Sequence, residues 1–226
     1  MAKTKIRVLA LDLDGTLTND QKIVPPRTRA ALDVAAAAGV TIVLASGRPT
    51  AGITPLANDL GLPAKGGCIL AYNGGAIVDC KSGEVLYQKR LAPELVPELC
   101  AFAAKEDFAI LTYNREGVVT ERPEDPWAAK EGFTCHLPMI RVDDLAAYVD
   151  YPVCKMLLTL DPARRDEVCA KGRAQFAGRA DLYPSSPFFI EAVPLGVAKD
   201  VSLAALLERM GLTRENLMAC GDGLND

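Results

Sequence analysis

Short apolar runs that end in polar residues recur along the chain, and this pattern predicts a buried sheet. The runs IRVLALD at 6–12 and VTIVLASGR at 40–48 are nearly continuously apolar, which is typical of strands buried on both faces. Between them, Pro25 and Pro26 open an alanine-rich segment that Gly39 closes, which predicts a helix. A strand, a helix and a strand in this order predict a βαβ unit with a right-handed crossover.

The same kind of pattern returns further along the chain. The segment CILAYNGGAIVD at 68–79 predicts a third strand, interrupted at the glycine pair. Near the end, AKDVSLAALLERMG at 198–211 predicts a helix, followed by a short strand in ENLMACGDG at 215–223. The apolar positions that define this helix are expected at Val201, Ala204, Ala205 and Met210.

The middle of the chain has a different pattern of predicted elements. It combines proline-bearing turns with two amphipathic helical patterns, at 93–106 and 161–177, and with β-like runs such as VCKMLLTL at 153–160. This composition predicts an α+β insert within an α/β core. The expected domains are therefore a first part of the core at 1–83, an inserted cap at 84–189 and a second part of the core at 190–226.

Composition narrows the function classes. Half of the 226 residues are apolar, so the chain can bury a sizeable core, and its net charge of −4 gives no reason to expect nucleic acid or an anionic membrane as partner. Seven cysteines without a CxxC pair, and a single histidine, predict free thiols in a reducing compartment rather than a zinc site. No signal peptide or membrane-spanning run is evident, so we expect a soluble cytoplasmic protein.

The candidate chemistry lies where the predicted core strands end. In open α/β sheets ligands bind beyond the carboxyl ends of the strands, so side chains distant in sequence are expected to meet there. The alternative is that each polar run is an ordinary turn, since these residue types favour turns. The runs in question are Asp12 with Asp14, Ser46-Gly47-Arg48, and Gly221-Asp222-Gly223 with Asn225 and Asp226.

Clustered carboxylates need a counter-charge. Three Asp side chains together with backbone carbonyls suit Mg²⁺, an oxygen-binding cation that leaves room for a phosphate oxygen. Lys199 falls in the first turn of a predicted helix, where the helix dipole disfavours a cation. A lysine at this position indicates that its side chain binds an anion. A solvated surface lysine is the alternative. Ser46 and Gly47 can offer a hydroxyl and backbone N–H groups to the same anion.

Four segments together resemble the motifs of the haloacid dehalogenase-like (HAD) superfamily. They are DLDGTL at 12–17, LASGR at 44–48, Lys199 in LGVAKD, and GDGLND at 221–226, in that order. YNGGAI at 72–77 and the long insert resemble the Cof-type branch of that superfamily. The resemblance implies a Rossmann-like parallel-sheet core with an inserted α/β cap that covers the active site.

The resemblance also implies roles for individual residues. Asp12 would be the nucleophile that forms an aspartyl-phosphate, and Asp14 would protonate the leaving alcohol and then activate water. Ser46, Gly47, Lys199 and Asn225 would bind the phosphate, with Lys199 also neutralising charge in the transition state. The metal ligands would be Asp12, the Asp14 carbonyl and Asp222, with Asp226 in support.

Some positions depart from the family pattern. Ser46 stands where this branch usually has threonine, and Asp200 follows the motif lysine where glycine is common. The chain also stops at Asp226, where relatives continue with another strand and helices, so the resemblance implies that the C-terminal part of the core is missing.

The expected function is a Mg²⁺-dependent phosphatase that hydrolyses small phosphomonoesters, sugar phosphates foremost, as a monomer or weak homo-oligomer. One alternative is a sugar-phosphate phosphotransferase or mutase of the same chemistry. The other is a catalytically impaired phosphate-binding protein, which the early C-terminus suggests.

Overall fold

A computed structural model describes residues 6–223 of the chain. The chain divides into two compact units, one made of Met1–Gln88 with Val197–Asp226 and the other of Lys89–Gly196. We call these the core unit and the cap unit. The core unit is discontinuous in sequence because the cap unit is inserted between its two segments.

The core unit is built on a six-stranded sheet in the order β12-β1-β2-β3-β4-β5. Strands β12, β1, β2 and β3 are parallel, whereas β4 and β5 are antiparallel to their neighbours. The elements of this unit are β1 (Val8–Asp12), α1 (Pro26–Ala37), β2 (Thr41–Ala45), α2 (Thr50–Asp59), α3 (Leu62–Lys65), β3 (Gly67–Ala71), β4 (Ala76–Asp79), β5 (Val85–Gln88), α8 (Lys199–Arg209) and β12 (Leu217–Cys220).

Helices cover both faces of this sheet. Side chains such as Ile42 and Leu44 pack with Leu32 of α1 and Ile53 of α2 on one face. On the other face, strand residues such as Val43 pack against α8. The three layers bury the central strands on both sides, which explains why their sequences are continuously apolar rather than alternating.

The cap unit has its own six-stranded sheet, in the order β10-β11-β9-β6-β7-β8, in which β7 and β8 form the parallel pair. A separate apolar core lies where Phe102 of α4 and Phe176, just after α7, meet Leu158 of β9. The elements are α4 (Leu95–Glu106), β6 (Ala109–Tyr113), β7 (Val118–Thr120), α5 (Pro126–Cys135), β8 (Met139–Arg141), α6 (Leu145–Tyr148), β9 (Met156–Thr159), α7 (Arg165–Gln175), β10 (Asp181–Ser186) and β11 (Phe189–Val193).

The α/β core with an inserted α+β cap agrees with the fold class that the sequence predicts. The units divide at Gln88/Lys89 and Gly196/Val197, later than the expected 83/84 and 189/190. The physical reason is strand pairing. Strand β5 pairs with β4 of the core sheet, and β11 pairs with β9 of the cap sheet.

Two local predictions need correction. Residues 68–79 form two antiparallel strands around a tight turn, not one interrupted strand. In α8 the buried apolar side chains are Leu203, Leu206 and Leu207, whereas Val201 and Met210 are exposed. The three leucines lie three or four residues apart on one face of α8, and that face packs against the sheet.

No helix among residues 6–223 is long and apolar enough to cross a bilayer.

Candidate active site

Strand pairing brings the predicted site residues to one edge of the core sheet. Strand β1 lies between β2 and β12, with Asp12 opposite Ala45 and Leu11 opposite Cys220 in the parallel register. Ser46 therefore follows the end of β2 on one side of Asp12, and Asp222 follows the end of β12 on the other side. The expectation that these segments meet at the carboxyl ends of the strands agrees with this register.

Asp12 and Lys199 form a buried ion pair. Lys199 Nζ donates to Asp12 Oδ1 at 2.6 Å, and the two side chains are only 4% and 15% exposed. Lys199 is the first residue of α8, and Asp200 beside it places an acidic side chain in the same first turn. The anion that offsets the unfavourable position of this lysine is therefore, in this structure, the carboxylate at the end of β1.

Asp14 is held by two cations from different loops. Arg48 Nη2 donates to both carboxylate oxygens of Asp14, at 2.9 and 2.8 Å, and Lys22 Nζ donates to Oδ1 at 2.7 Å. Partial burial raises the pKa of Asp14, but the hydrogen bond from Lys22 and the charge of Arg48 outweigh it, so the pKa lies below its ordinary value. The structure therefore favours the ionised form of this carboxyl group.

Ser46 lies in a loop that hydrogen bonds hold in place. It is buried, its Oγ accepts a hydrogen bond from the backbone N–H of Arg48 at 3.2 Å, and its carbonyl accepts one from Asn73 N at 3.0 Å. Tyr72 N donates to the Arg48 carbonyl at 3.0 Å. Two hydrogen bonds thus join the loop after β2 to the turn after β3.

Gly47 lies against that same turn. A Cβ atom at Gly47 would stand 3.0 Å from the side-chain amide nitrogen of Asn73. Tyr72 and Asn73 both have positive φ, at 55° and 54°, which is uncommon for residues other than glycine. Backbone held in this way tends to occur at functional sites, where the surrounding structure imposes it.

Asp222 approaches the backbone that follows β1. Thr16 Oγ1 donates to Asp222 Oδ1 at 3.1 Å, and a Cβ atom at Gly15 would lie only 2.7 Å from Asp222 Oδ2. Gly15 has a φ of +90°, which favours glycine for a second reason. The carboxylate therefore sits in a cradle that a larger residue at position 15 would fill.

These residues fit an oxygen-binding cation with a modified ligand set. No group of three or more His, Cys, Asp or Glu side chains within residues 6–223 is arranged to hold a metal ion. A metal set of three Asp side chains stays a prediction, and in this structure Arg48 and Lys22 engage the carboxylate of Asp14. The carboxylates of Asp12 and Asp222 with the Asp14 carbonyl remain a set of hard oxygen donors suited to Mg²⁺.

Some predicted site residues cannot be placed, and others were not foreseen. Asn225 and Asp226 lie outside the described residues. Lys22, Thr16 and Asn73 are additional residues that contact Asp14, Asp222 and Ser46 in this structure. The strongest available signal was Asn73, which sits in the YNGG turn directly after a buried strand.

Comparison with known proteins places the chain in a family. A family model described as haloacid dehalogenase-like hydrolase matches residues 9–226. The chain is similar to the crystal structure of a haloacid dehalogenase-like hydrolase from Bacteroides thetaiotaomicron, with 41% identity and a TM-score of 0.94. That match covers 98% of this chain and 84% of the other.

Curated relatives of lower identity include proteins named as phosphatases. A 5-amino-6-(5-phospho-D-ribitylamino)uracil phosphatase from Bacillus subtilis is 29% identical over 225 residues, which is 98% of this chain and 78% of the relative. An HMP-PP phosphatase from Serratia proteamaculans is 29% identical over 227 residues, covering 97% of this chain and 78% of the relative.

Proposed function

The chain belongs to the haloacid dehalogenase-like hydrolase family and is a phosphoric monoester hydrolase; from this premise we propose a Mg²⁺-dependent sugar-phosphate phosphatase that works through an aspartyl-phosphate. A small phosphorylated molecule as substrate is consistent with the named phosphatases among its relatives. The metal, the substrate class, the covalent intermediate and the residue roles are the parts that we propose.

The contact between Asp12 and Lys199 is the observation that carries the proposal. Burying a carboxylate and an ammonium at a strand end and a helix start costs desolvation energy, and hydrophobic residues of similar volume would often be no less stable there. A buried pair kept at the ligand-binding edge of an open α/β sheet therefore supports a chemical role.

In the first step that we propose, a carboxylate oxygen of Asp12 attacks phosphorus and the bond from phosphorus to the leaving oxygen breaks. Lys199 lies within hydrogen-bond reach of Asp12 and supplies positive charge where negative charge develops on the phosphoryl oxygens. Ser46 and Gly47 would provide a hydroxyl and a backbone N–H group to the same oxygens.

Asp14 would donate a proton in the first step and accept one in the second. It gives its proton to the leaving alcohol in the first step and so becomes a carboxylate. In the second step it takes a proton from water while the water oxygen attacks phosphorus and the bond from phosphorus to the Asp12 oxygen breaks, which releases inorganic phosphate and restores the Asp12 carboxylate. Lys22 and Arg48 favour the ionised form, which the second step requires, so the first step has to draw on the protonated fraction of Asp14.

Asp12, Asp222 and the Asp14 carbonyl would hold Mg²⁺. When bound, the ion would offset the mutual repulsion of the carboxylates and the charge of the phosphate. Thr16 orients Asp222 through its hydrogen bond, and Gly15 leaves the space that the carboxylate occupies. Phosphatases of this family generally need a divalent metal, and the oxygen-only donors support Mg²⁺ as that metal.

Sugar phosphates are the proposed substrates because of the relatives' chemistry. The Bacillus subtilis relative is named for a substrate with a phosphorylated ribityl chain, which is a polyol phosphate close in structure to a sugar phosphate. The large inserted cap unit would supply the side chains that choose among such molecules.

The test is the release of inorganic phosphate from a panel of sugar phosphates and para-nitrophenyl phosphate, with Mg²⁺ and with EDTA. We expect hydrolysis that EDTA abolishes and added Mg²⁺ restores. Transfer of the phosphoryl group to a second sugar without phosphate release would favour the mutase alternative. Full activity in EDTA would contradict the metal requirement.

A matched pair of variants tests the nucleophile in the same assay. Asp12→Asn should lower kcat by several powers of ten, since it removes the attacking oxygen. Asp33→Asn is the control, because Asp33 also pairs with a lysine, Lys65, at 2.6 Å, but does so on the surface of α1. It should keep wild-type activity.

A further inference from the structure

Arg48 makes an unusual contact with Asp14. A single guanidinium nitrogen, Nη2, donates to both carboxylate oxygens, and the arginine side chain is 15% exposed while the aspartate is 40% exposed. The more buried partner is thus the cation, which reaches the carboxylate from the interior of the core unit. The contact fixes both oxygens of Asp14 relative to β2.

The backbone of Arg48 is anchored on both sides. Its N–H donates to Ser46 Oγ at 3.2 Å, and its carbonyl accepts from Tyr72 N at 3.0 Å. An anchored backbone carrying a side chain that is only 15% exposed has little freedom to relax. The position of the guanidinium is therefore set by the loop after β2 and by the turn at 72–74.

The guanidinium is not satisfied in this position. Within the described part of the chain, Arg48 Nε is a buried nitrogen without a hydrogen-bond partner. A buried donor without a partner is destabilising, so this arrangement is a poor one if Arg48 serves only the stability of the fold. The observation favours a role that depends on where Nη2 is placed.

We propose that Arg48 is a positioning residue that orients the carboxylate of Asp14 for proton transfer to the leaving oxygen. This inference rests on the proposed function, in which Asp14 is the proton donor. Lys22 assists from the same loop as Asp14, between β1 and α1, through one contact to Oδ1, but it is half exposed, so Arg48 carries the greater part of the constraint.

The test uses substrates that differ in their need for a proton. A sugar phosphate has a poor leaving group and needs protonation, whereas para-nitrophenyl phosphate releases a stable phenolate without it. The value of kcat/KM reports the steps up to departure of the leaving group. Arg48→Lys should lower kcat/KM for the sugar phosphate about 100-fold and for para-nitrophenyl phosphate less than about tenfold.

Arg48→Lys keeps the charge but loses the planar guanidinium, so it separates placement from charge. The matched control is Arg29→Lys, which changes an arginine that pairs with Asp59 elsewhere in the core unit. The control should change kcat/KM for neither substrate. The Tm of Arg48→Met should stay within about 2 °C of wild type, because removing the unpartnered Nε–H offsets the lost contact with Asp14, which keeps its hydrogen bond from Lys22.

A double variant shows whether Arg48 acts through Asp14. If it does, Arg48→Lys with Asp14→Asn should be no slower toward the sugar phosphate than Asp14→Asn alone. Equal losses for the two substrates, or losses that multiply in the double variant, would overturn the role of Arg48. A wild-type protein inactive toward every phosphomonoester would instead overturn the proposed function.

Discussion

At the scale of single residues, the candidate site is a set of paired charged side chains, and the backbone of the surrounding loops fixes the distances between them. Asp12 is paired with Lys199, and Asp14 is paired with Arg48 and Lys22. Each carboxylate that the strand end delivers therefore meets a cation. This pairing lets like charges stand two residues apart without a large electrostatic cost.

Gly15 gives a prediction at this scale. Gly15→Ala adds a Cβ atom 2.7 Å from Asp222 Oδ2 at a backbone φ of +90°. The carboxylate of Asp222 has to move, so we expect the Mg²⁺ concentration for half-maximal activity to rise at least about tenfold, the loss of about 1.4 kcal/mol of binding. Activity titrated with Mg²⁺ measures this.

The control for that prediction is Gly39→Ala. Gly39 has a similar φ of +83°, but a Cβ atom there meets nothing within 4 Å. This variant should lose about 1 kcal/mol of stability from backbone strain and keep its Mg²⁺ dependence. A shift in Mg²⁺ dependence of the same size in both variants would show that backbone strain, not the displaced carboxylate, is responsible.

The sequence identifies the acidic residues and the lysine of this site, but not all of their partners. Asp12, Asp14 and Lys199 stand out because charged residues at strand ends and helix starts are costly unless something uses them. The contact of Lys22 with Asp14 depends on a loop conformation in which Lys22 itself has a φ of 60°. No local pattern in the sequence predicts that conformation.

At the scale of elements, the turn at 72–74 braces the start of α8. Gly74 has a φ of +104°, and a Cβ atom there would lie 2.3 Å from the carbonyl oxygen of Ala198, the residue before Lys199. The turn also bonds to the loop after β2. Ser46 and Lys199 are thus positioned by contacts with one and the same turn.

Gly74→Ala should therefore damage stability and activity together. We expect the free energy of unfolding to fall by about 2–4 kcal/mol, because of the positive φ and because the new Cβ atom overlaps with backbone atoms that cannot easily move. The shift of α8 should also lower kcat/KM. Thermal melts and phosphatase assays on the same preparation check both expectations.

Gly83→Ala is the matched control for that variant. Gly83 also has a positive φ, +72°, but a Cβ atom there meets nothing within 4 Å. Gly83→Ala should lower the free energy of unfolding by about 1 kcal/mol and leave kcat/KM unchanged. If Gly74→Ala is no worse than Gly83→Ala, the turn does not brace the helix.

The sequence predicts the core strands well and some helices poorly. Continuous apolar runs predict β1 and β2, because burial in the middle of the sheet leaves a strong signal. The short strand β12 was also predicted, although it is an exposed edge strand. The helix α2 (Thr50–Asp59) was not foreseen, since Gly52 and an internal Pro55 hide its helical character. Its packing against the sheet outweighs that weak propensity.

At the scale of the whole molecule, the two units have separate hydrophobic cores. One cluster of buried side chains lies within Lys89–Gly196, and the other two lie within the core unit. Each unit therefore has its own source of folding energy. The change in the pattern of predicted elements along the sequence indicates an insert, but the boundaries of the insert depend on strand pairings between distant segments.

Removing the cap unit gives a prediction at this scale. A chain in which a flexible linker replaces Lys89–Gly196 should keep the core unit folded, because none of its core clusters draws on the cap. If the cap selects the substrate, kcat/KM for the preferred sugar phosphate should fall at least tenfold more than for para-nitrophenyl phosphate. Circular dichroism and steady-state kinetics measure the two effects. Equal losses for both substrates would argue that the cap is only structural.

The central claim is that Asp12 carries the phosphoryl group during turnover. The direct measurement is to mix Asp14→Asn, which should be slow to activate water, with para-nitrophenyl phosphate and Mg²⁺, quench in acid and determine the modified residue by peptide mass spectrometry. We predict the mass of one added phosphoryl group on the peptide that contains Asp12, and none in Asp12→Asn. A burst of para-nitrophenol with no phosphorylated Asp12, or with the phosphoryl group on another residue, would contradict the account.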